Sequence, residues 1–180
     1  MVFAPNTDGA HVCGDHELMR FAFGECSLGT ILVAASGKGL SAIIVDNGRA
    51  PLLQELRRRF PTARLVDAGV ALESSIAEII ASIEMPARII ALPLDLRGTE
   101  FQRRVWQAVR GIPTGSTVSY GELARHIGAS HSARAVARAC AANVLAIAVP
   151  CHRVIRADGA LGGYRRGKAR KQALLAREAA

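Results

Sequence analysis

Cys151 stands directly beside His152 and Arg153, at the end of the apolar run Asn143-Val144-Leu145-Ala146-Ile147-Ala148-Val149-Pro150. A thiolate is a strong, soft nucleophile, and a neighbouring base can generate it by taking the thiol proton. An adjacent arginine can stabilise the anion. Pro150 tends to stop regular structure, so the thiol is expected on a turn at a core edge. The chemistry this suggests is covalent attack by sulfur on an electrophilic carbon. A cysteine hydrolase uses the same two residue types, but there a catalytic Cys and His adjacent in sequence would be unusual.

Charge indicates what the electrophile belongs to. Residues 1–97 hold 9 Lys and Arg against 11 Asp and Glu, a net −2, whereas residues 98–180 hold 14 against 4, a net +10. A chain that is basic only in its cysteine-bearing half meets a polyanion there, and nucleic acid is the favoured one. Half of the 180 residues are apolar, enough for a core. No apolar stretch reaches membrane-spanning length. The N-terminus lacks the basic-then-apolar pattern of a signal peptide. Cys13, Cys26, Cys140 and Cys151 show no CxxC pairing, so reduced thiols in the cytoplasm are expected. His11, Cys13, His16 and Cys26 match no zinc-ligand spacing. Neither a metal nor a cofactor is expected.

Two units are expected, 1–97 and 98–180. After about fifteen polar, loose residues, Leu18–Cys26, Thr30–Ser36 and Leu40–Asp46 are strand-like, joined at Leu28-Gly29 and Gly37-Lys38-Gly39. Pro51–Phe60 and Val70–Ile83 carry apolar residues at helical spacing, and Arg88–Leu94 is a further extended piece. Asp95–Gly98 reads as the linker. Thr99 with Gln102, and Ser119 with Glu122, form capping boxes that open two helices. The second covers Tyr120–Ile127, Gly128 can cap it, and Ala133–Ala142 follows. This is a helix-turn-helix outline. The last of these helices is alanine-rich, which permits close approach of a partner. Arg134 sits in its first turn, where backbone amides favour phosphate. Trp106, Cys26 and Cys140 read as core. The run Arg165-Arg166-Gly167-Lys168-Ala169-Arg170-Lys171 reads as a solvated helix face or, in a basic domain, as a phosphate contact beside the pocket.

A longer series joins these motifs in order. It comprises Phe101 to Trp106, Thr117 to Ala124, Arg134-Ala135-Val136, Ala141-Ala142-Asn143, Pro150-Cys151-His152-Arg153-Val154, Gly163-Tyr164 and Leu174 to Glu178. With this series the chain resembles the methylated-DNA–protein-cysteine methyltransferases. The resemblance implies an α/β N-terminal domain, ribonuclease-H-like, with a small antiparallel sheet and helices. It implies a mainly α, winged-helix-like C-terminal domain. The implied reaction is direct DNA repair: one transfer per molecule of the alkyl group of 6-O-alkylguanine, and of 4-O-alkylthymine, to Cys151. The implied partner is double-stranded DNA carrying the lesion, bound by a monomer through the minor groove with the base extruded.

The resemblance also assigns roles. His152 takes the thiol proton through a water, Glu178 orients His152, and Asn143 holds the turn before the cysteine. Tyr120 stabilises the leaving guanine and crowds the backbone phosphate. Arg134 fills the space left by the base, with Ala133, Ala135 and Ala141 against the groove. Val154, Tyr164, Gly163 and Cys140 line the alkyl pocket. The alternative is a non-catalytic helix-turn-helix regulator, as in relatives whose cysteine is replaced.

Overall fold

The computed structural model describes residues 16–86, 88 and 90–179. His11 and Cys13 lie outside them. Strands β1 (Leu18–Cys26), β2 (Gly29–Ser36) and β3 (Gly39–Asp46) form two consecutive antiparallel hairpins. Helix α1 (Arg49–Arg59) follows, then β4 (Arg64–Asp67). The expected sheet was purely antiparallel; the sheet found is mixed. β4, which the sequence reading missed, pairs parallel with β1, in the order β3-β2-β1-β4. A parallel partner needs a crossover, and α1 supplies it.

Both faces of β2 are buried. Ile31 and Val33 face a cluster containing Ile76, Ile79 and Ile83 of α2 (Glu73–Glu84). Leu32 and Ala34 face Leu52 and Leu56 of α1. This alternation is the period-2 pattern of a strand covered on both sides. Residues Gly69–Leu72 form a 3-10 turn rather than the start of α2, so the helix predicted from Val70 is shorter at its N-terminus. Among the described residues of the extended piece at 88–94, Leu94 bridges the sheet, at Leu40.

Helix α3 (Glu100–Arg110) begins at the Thr99–Gln102 capping box, and α4 (Tyr120–His126) at the Ser119–Glu122 box; each box makes both of its reciprocal bonds. Gly128 has a φ of +70°, which a side chain would strain, and this turns the chain into α5 (Ala133–Ala142). Trp106 of α3 is buried and donates from Nε1 to the Ala139 carbonyl of α5 at 2.9 Å. Leu123 and Ala124 of α4 share the core with Val136 of α5. A short parallel pair, β5 (Val118–Ser119) and β6 (Val154–Ile155), ties the start of α4 to the segment after Cys151. Helix α6 (Lys168–Glu178) closes the described chain. One apolar cluster runs from Ile31 and Ile43 of the sheet to Val105, Val136 and Val154 of the helical part.

Trp106 fixes the α3–α5 crossing through one buried bond as well as its area. Trp106→Phe keeps much of the area but leaves the Ala139 carbonyl without that donor. It should cost about 1–3 kcal/mol. Urea unfolding should show a lower midpoint with an unchanged slope; an unchanged midpoint would remove the bond from the account.

Candidate active site

The segment leading to Cys151 is neither strand nor helix. It hangs on the free edge of β3: Ile43 donates from its backbone N to Val144 O at 2.8 Å, and Ala146 N donates to Ile43 O at 3.1 Å. It then coils into a tight turn at Ile147, whose φ is +71°. A β-branched residue in the left-handed region stores strain on the order of 1–3 kcal/mol.

Asn143 offsets that strain. Its Oδ1 accepts from Leu145 N at 2.9 Å, and its Nδ2 donates to Val149 O at 2.9 Å. Nδ2 also reaches Cys151 Sγ at 3.3 Å. Asn143 is buried, so these bonds have no competition from bulk water. Cys151 follows on a 3-10 turn, Cys151–Arg153, and is buried with 5% exposure.

His152 is 2% exposed. Its Nε2 and Glu178 Oε1 are 2.7 Å apart, and the Glu178 side chain is itself nearly buried. His152 Nδ1 is buried without a hydrogen-bond partner among the described residues. Burial lowers the imidazole below its usual range, against the pull of Glu178. At neutral pH the ring is therefore a neutral base. Burial opposes ionisation of Glu178, yet bonds from His152 and Arg153 hold it down to about 2.

Arg153 does not serve the sulfur, which corrects the expectation of an arginine-stabilised thiolate. Its guanidinium grips Glu178, with Nε at 2.9 Å from Oε2 and Nη2 at 2.9 Å from Oε1, and it donates to Thr114 Oγ1 at 3.0 Å. The cation whose charge favours the thiolate is Lys171. Lys171 is completely buried, and its Nζ donates to Val154 O at 2.6 Å and to Leu161 O. The basic run at 165–171 is thus only partly a solvated face: Arg165 and Lys168 are exposed, but Arg166 and Lys171 are buried. Sequence reasoning missed Lys171 because a lysine normally lies in water.

The Cys151 thiol is held well above the usual thiol range. The neighbouring Cys140 thiol acts first and burial second, while Asn143 and Lys171 pull the other way. Tyr120, half-buried at the start of α4, is raised by burial and then by the two thiols, so it keeps its O–H. Gly162, at φ +68°, leaves room beside it: a side chain there would meet Tyr120 Oη at 3.4 Å. Tyr164 is raised by burial and by Cys151. Val154 is fully buried beneath the site, and Gly163 is exposed. A cavity of about 240 Å³ reaches His152, Arg153 and Glu178 from the side of Ile112, Ile147 and Pro150.

On α5, Arg134, Arg138 and Ala141 are exposed along one face, while Ala133 and Ala135 are partly covered. Ser132 makes no side-chain cap, so the first-turn amides are not satisfied that way. Arg138 is a second cation one turn from Arg134 that the sequence reading left out; the i, i+4 spacing was the available signal. Among the described residues no group of three or more His, Cys, Asp or Glu is placed to hold a metal ion.

The family model for the 6-O-methylguanine DNA methyltransferase DNA-binding domain matches residues 100–180. The inducible methylated-DNA–protein-cysteine methyltransferase of Bacillus subtilis is 39% identical over 146 residues, covering 79% of this chain and 80% of that protein. This chain belongs to the methylated-DNA–protein-cysteine methyltransferase family. The Escherichia coli bifunctional transcriptional activator and DNA repair enzyme Ada is 49% identical over 92% of this chain, which spans only 47% of Ada. The chain thus covers about half the length of that relative. The crystal structure of Mycobacterium tuberculosis OGT in complex with DNA superposes with a TM-score of 0.73 at 35% identity, covering 89% of this chain and 92% of that one. The solved relative therefore shares the mixed α/β architecture, with its small sheet and helices.

Glu178 gives the site a pH signature. A carboxylate held down to about 2 stabilises the fold fully above the unfolded value of about 4.3. That contribution disappears as pH falls from there toward about 2. Glu178→Gln should therefore be less stable than the parent at pH 7 but lose less on acidification across this window, as read by thermal melts at stepped pH. Glu55, also held down to about 2, remains in both proteins and supplies the common background. Parallel curves for parent and variant would refute the buried relay.

Proposed function

We propose that the chain performs direct DNA repair by a single transfer of the alkyl group of 6-O-alkylguanine in double-stranded DNA to Cys151. The same site would take 4-O-alkylthymine. The observation that carries this reading is the convergence on one sulfur of Asn143, of the buried His152–Glu178 pair through the chain next door, and of the α4–α5 helix pair.

In this reading His152 Nδ1, through a bridging water, takes the thiol proton as the base arrives. Glu178 keeps the Nε2 side of the ring fixed and balances the positive charge that forms on it. Asn143 and Lys171 favour the thiolate. Sulfur attacks the alkyl carbon in line, the carbon–oxygen bond breaks, and the guanine leaves as its anion. The Tyr120 O–H is the donor for that leaving group. Val154, Tyr164, Gly163 and Cys140 enclose the alkyl group. An S-alkyl thioether has no hydrolytic exit, unlike a thioester, so each molecule acts once.

In-line attack cannot reach an alkyl carbon inside a stacked duplex, so the base must be flipped out at a cost of a few kcal/mol. Arg134 at the start of α5 would fill the gap, and the small residues Ala133, Ala135 and Ala141 would let the helix approach the minor groove closely. Arg138, one turn along, would hold a phosphate. The order β3-β2-β1-β4 supports a ribonuclease-H-like reading of residues 16–97, and the β5–β6 pair beside α4 and α5 a winged-helix-like reading of the rest. We place the protein in the cytoplasm as a monomer.

Intact mass and peptide mapping after mixing with a duplex containing 6-O-methylguanine test the reaction. One methyl group should appear, all of it on Cys151, and accumulation should stop at one per molecule. Methyl on Cys13, Cys26 or Cys140, or continued turnover, would overturn the reading. A protein that binds the duplex and gains no mass would be the non-catalytic regulator.

The two arginines should separate by substrate. Arg138→Ala should weaken duplex binding and reduce the dependence of log affinity on log salt by about one unit. Arg134→Ala should slow transfer from duplex far more than from the free modified base. Equal loss on both substrates would remove Arg134 from base extrusion.

A further inference from the structure

Arg166 is a buried charge that the alkyl-transfer chemistry does not use. The residue is 8% exposed, and its Nη2 is buried without a hydrogen-bond partner among the described residues. Burial lowers its guanidinium to about 10, so it still carries its charge at neutral pH. A buried charged donor without a partner is costly, and a bound ion is one of the few things that explains one.

Arg166 lines an open hollow of about 340 Å³ between α1 and the segment before α6, together with Asp46, Gln54, Glu55, Arg58 and Arg165. The carboxylates there already have partners. Glu55 pairs with Arg58, with Arg59 at 3.2 Å and with Arg165 at 2.6 Å. Asp46 has Arg170 at 3.9 Å. Five arginines thus meet two carboxylates, and the surplus is positive. The N-terminal half is net acidic, but α1 ends on Arg57, Arg58 and Arg59, so this face of it is basic.

The hollow adjoins the face of α5 set against DNA in the proposed reaction. Arg165 Nη1 donates to the Ala141 carbonyl at 3.3 Å, while its Nη2 holds Glu55. Ala141 is exposed along the same face as Arg134 and Arg138. A strand followed from Arg134 along α5 therefore arrives at Arg165, with Arg166 and Arg58 in the hollow beyond it. We propose that Arg166, with Arg165 and Arg58, is a binding site for a phosphodiester of the DNA backbone, so that the duplex footprint extends from α5 onto α1 of the N-terminal half. Guanidinium groups match phosphate oxygens in geometry and charge. The phosphate supplies the acceptor that Arg166 lacks, while Arg165 and Arg58 keep their hold on Glu55. Such a contact reads no sequence; it fixes the register of the strand on the protein.

The proposal rests on the reading that the chain binds duplex DNA, but its test needs neither lesion nor transfer. The full chain is titrated with an undamaged duplex at stepped salt. Arg166→Met, which keeps an apolar stem, should weaken binding several-fold and lower the slope of log affinity against log salt by about one unit. Should that variant not fold, Arg58→Ala, at the exposed edge of the hollow, reads the same contact. Single phosphates of the duplex are then replaced in turn by neutral methylphosphonates. In the parent, one position beyond the stretch held by α5 should lose affinity, and that loss should vanish in the variant. Losses equal in parent and variant at every position would overturn the proposal, as would a variant with unchanged affinity and slope. Inorganic phosphate tests the free ion as the source. If it raises the melting temperature of the parent and not of the variant, while the duplex shows no coupling, the hollow holds a free anion and the backbone assignment falls. Coupling in a chain that gains no methyl would leave this site standing and remove the repair reading. A parent that binds no duplex would remove both.

Discussion

Everything at the site depends on one buried amide. Asn143 spans the turn before Cys151, accepting from Leu145 N and donating to Val149 O. Within that span Ile147 is held at φ +71°. The strain there and the net worth of the bonds are of similar size: on the order of 1–3 kcal/mol against about 0.5–1.5 kcal/mol per bond. The turn is therefore stable only while most of the bonds are made. Aspartate could keep the acceptor but would lose the donor to Val149 and to the sulfur, and would bury a charge. A shorter side chain would lose both. The same amide nitrogen that closes the turn touches Cys151 Sγ, so the scaffold and the nucleophile share an atom.

The sheet enters the chemistry through its edge. β3 would be an exposed edge strand if left bare, and exposed edges invite unwanted pairing. Here the edge is used: Leu40 pairs with Pro93 and Asp95, and Ile43 with Val144 and Ala146. The turn carrying Cys151 is thereby docked on the N-terminal half, while α5 and α6, in the same C-terminal half as the turn, bring Cys140, Lys171 and Glu178. Arg165 adds a bond from the C-terminal half to Glu55 of α1 at 2.6 Å. The side chains of the site all come from the C-terminal half, and the N-terminal half supplies the strand edge that holds their turn.

How much of this was legible in the chain depended on how local the cause was. The capping boxes at Thr99 and Ser119 specify helix starts within four residues, and both are formed as read. The two hairpins were legible from glycines at their joints. β4 was not: Arg64-Leu65-Val66-Asp67 is too short to show alternation, and its partner begins at Leu18. Lys171 was invisible for a related reason. Its partners are the carbonyls of Val154 and Leu161, brought close only by the tertiary fold. Arg153 was misread because sequence adjacency to Cys151 says nothing of direction; its guanidinium turns toward Glu178. For the sulfur, His152 and Glu178, the resemblance to a family carried what spacing could not, since His152 and Glu178 are 26 residues apart.

The resting electrostatics suit the single-use acceptor proposed for Cys151. A reactive thiolate in water would meet every small electrophile in the cell. Here burial and the Cys140 thiol hold Cys151 protonated, while His152 is held neutral beside an ionised Glu178. Proton transfer from sulfur to imidazole creates two buried charges, which is costly in a dry site unless each has a partner. Those partners are already in place: Lys171 and Asn143 for the sulfur, Glu178 for the ring. Arg153 keeps Glu178 from being over-basic, since a carboxylate with no second partner would itself compete for the proton. The thiol is therefore held unreactive by its proton. In the proposed reaction, activation then needs a substrate that places an alkyl carbon against the sulfur and excludes water as it does so.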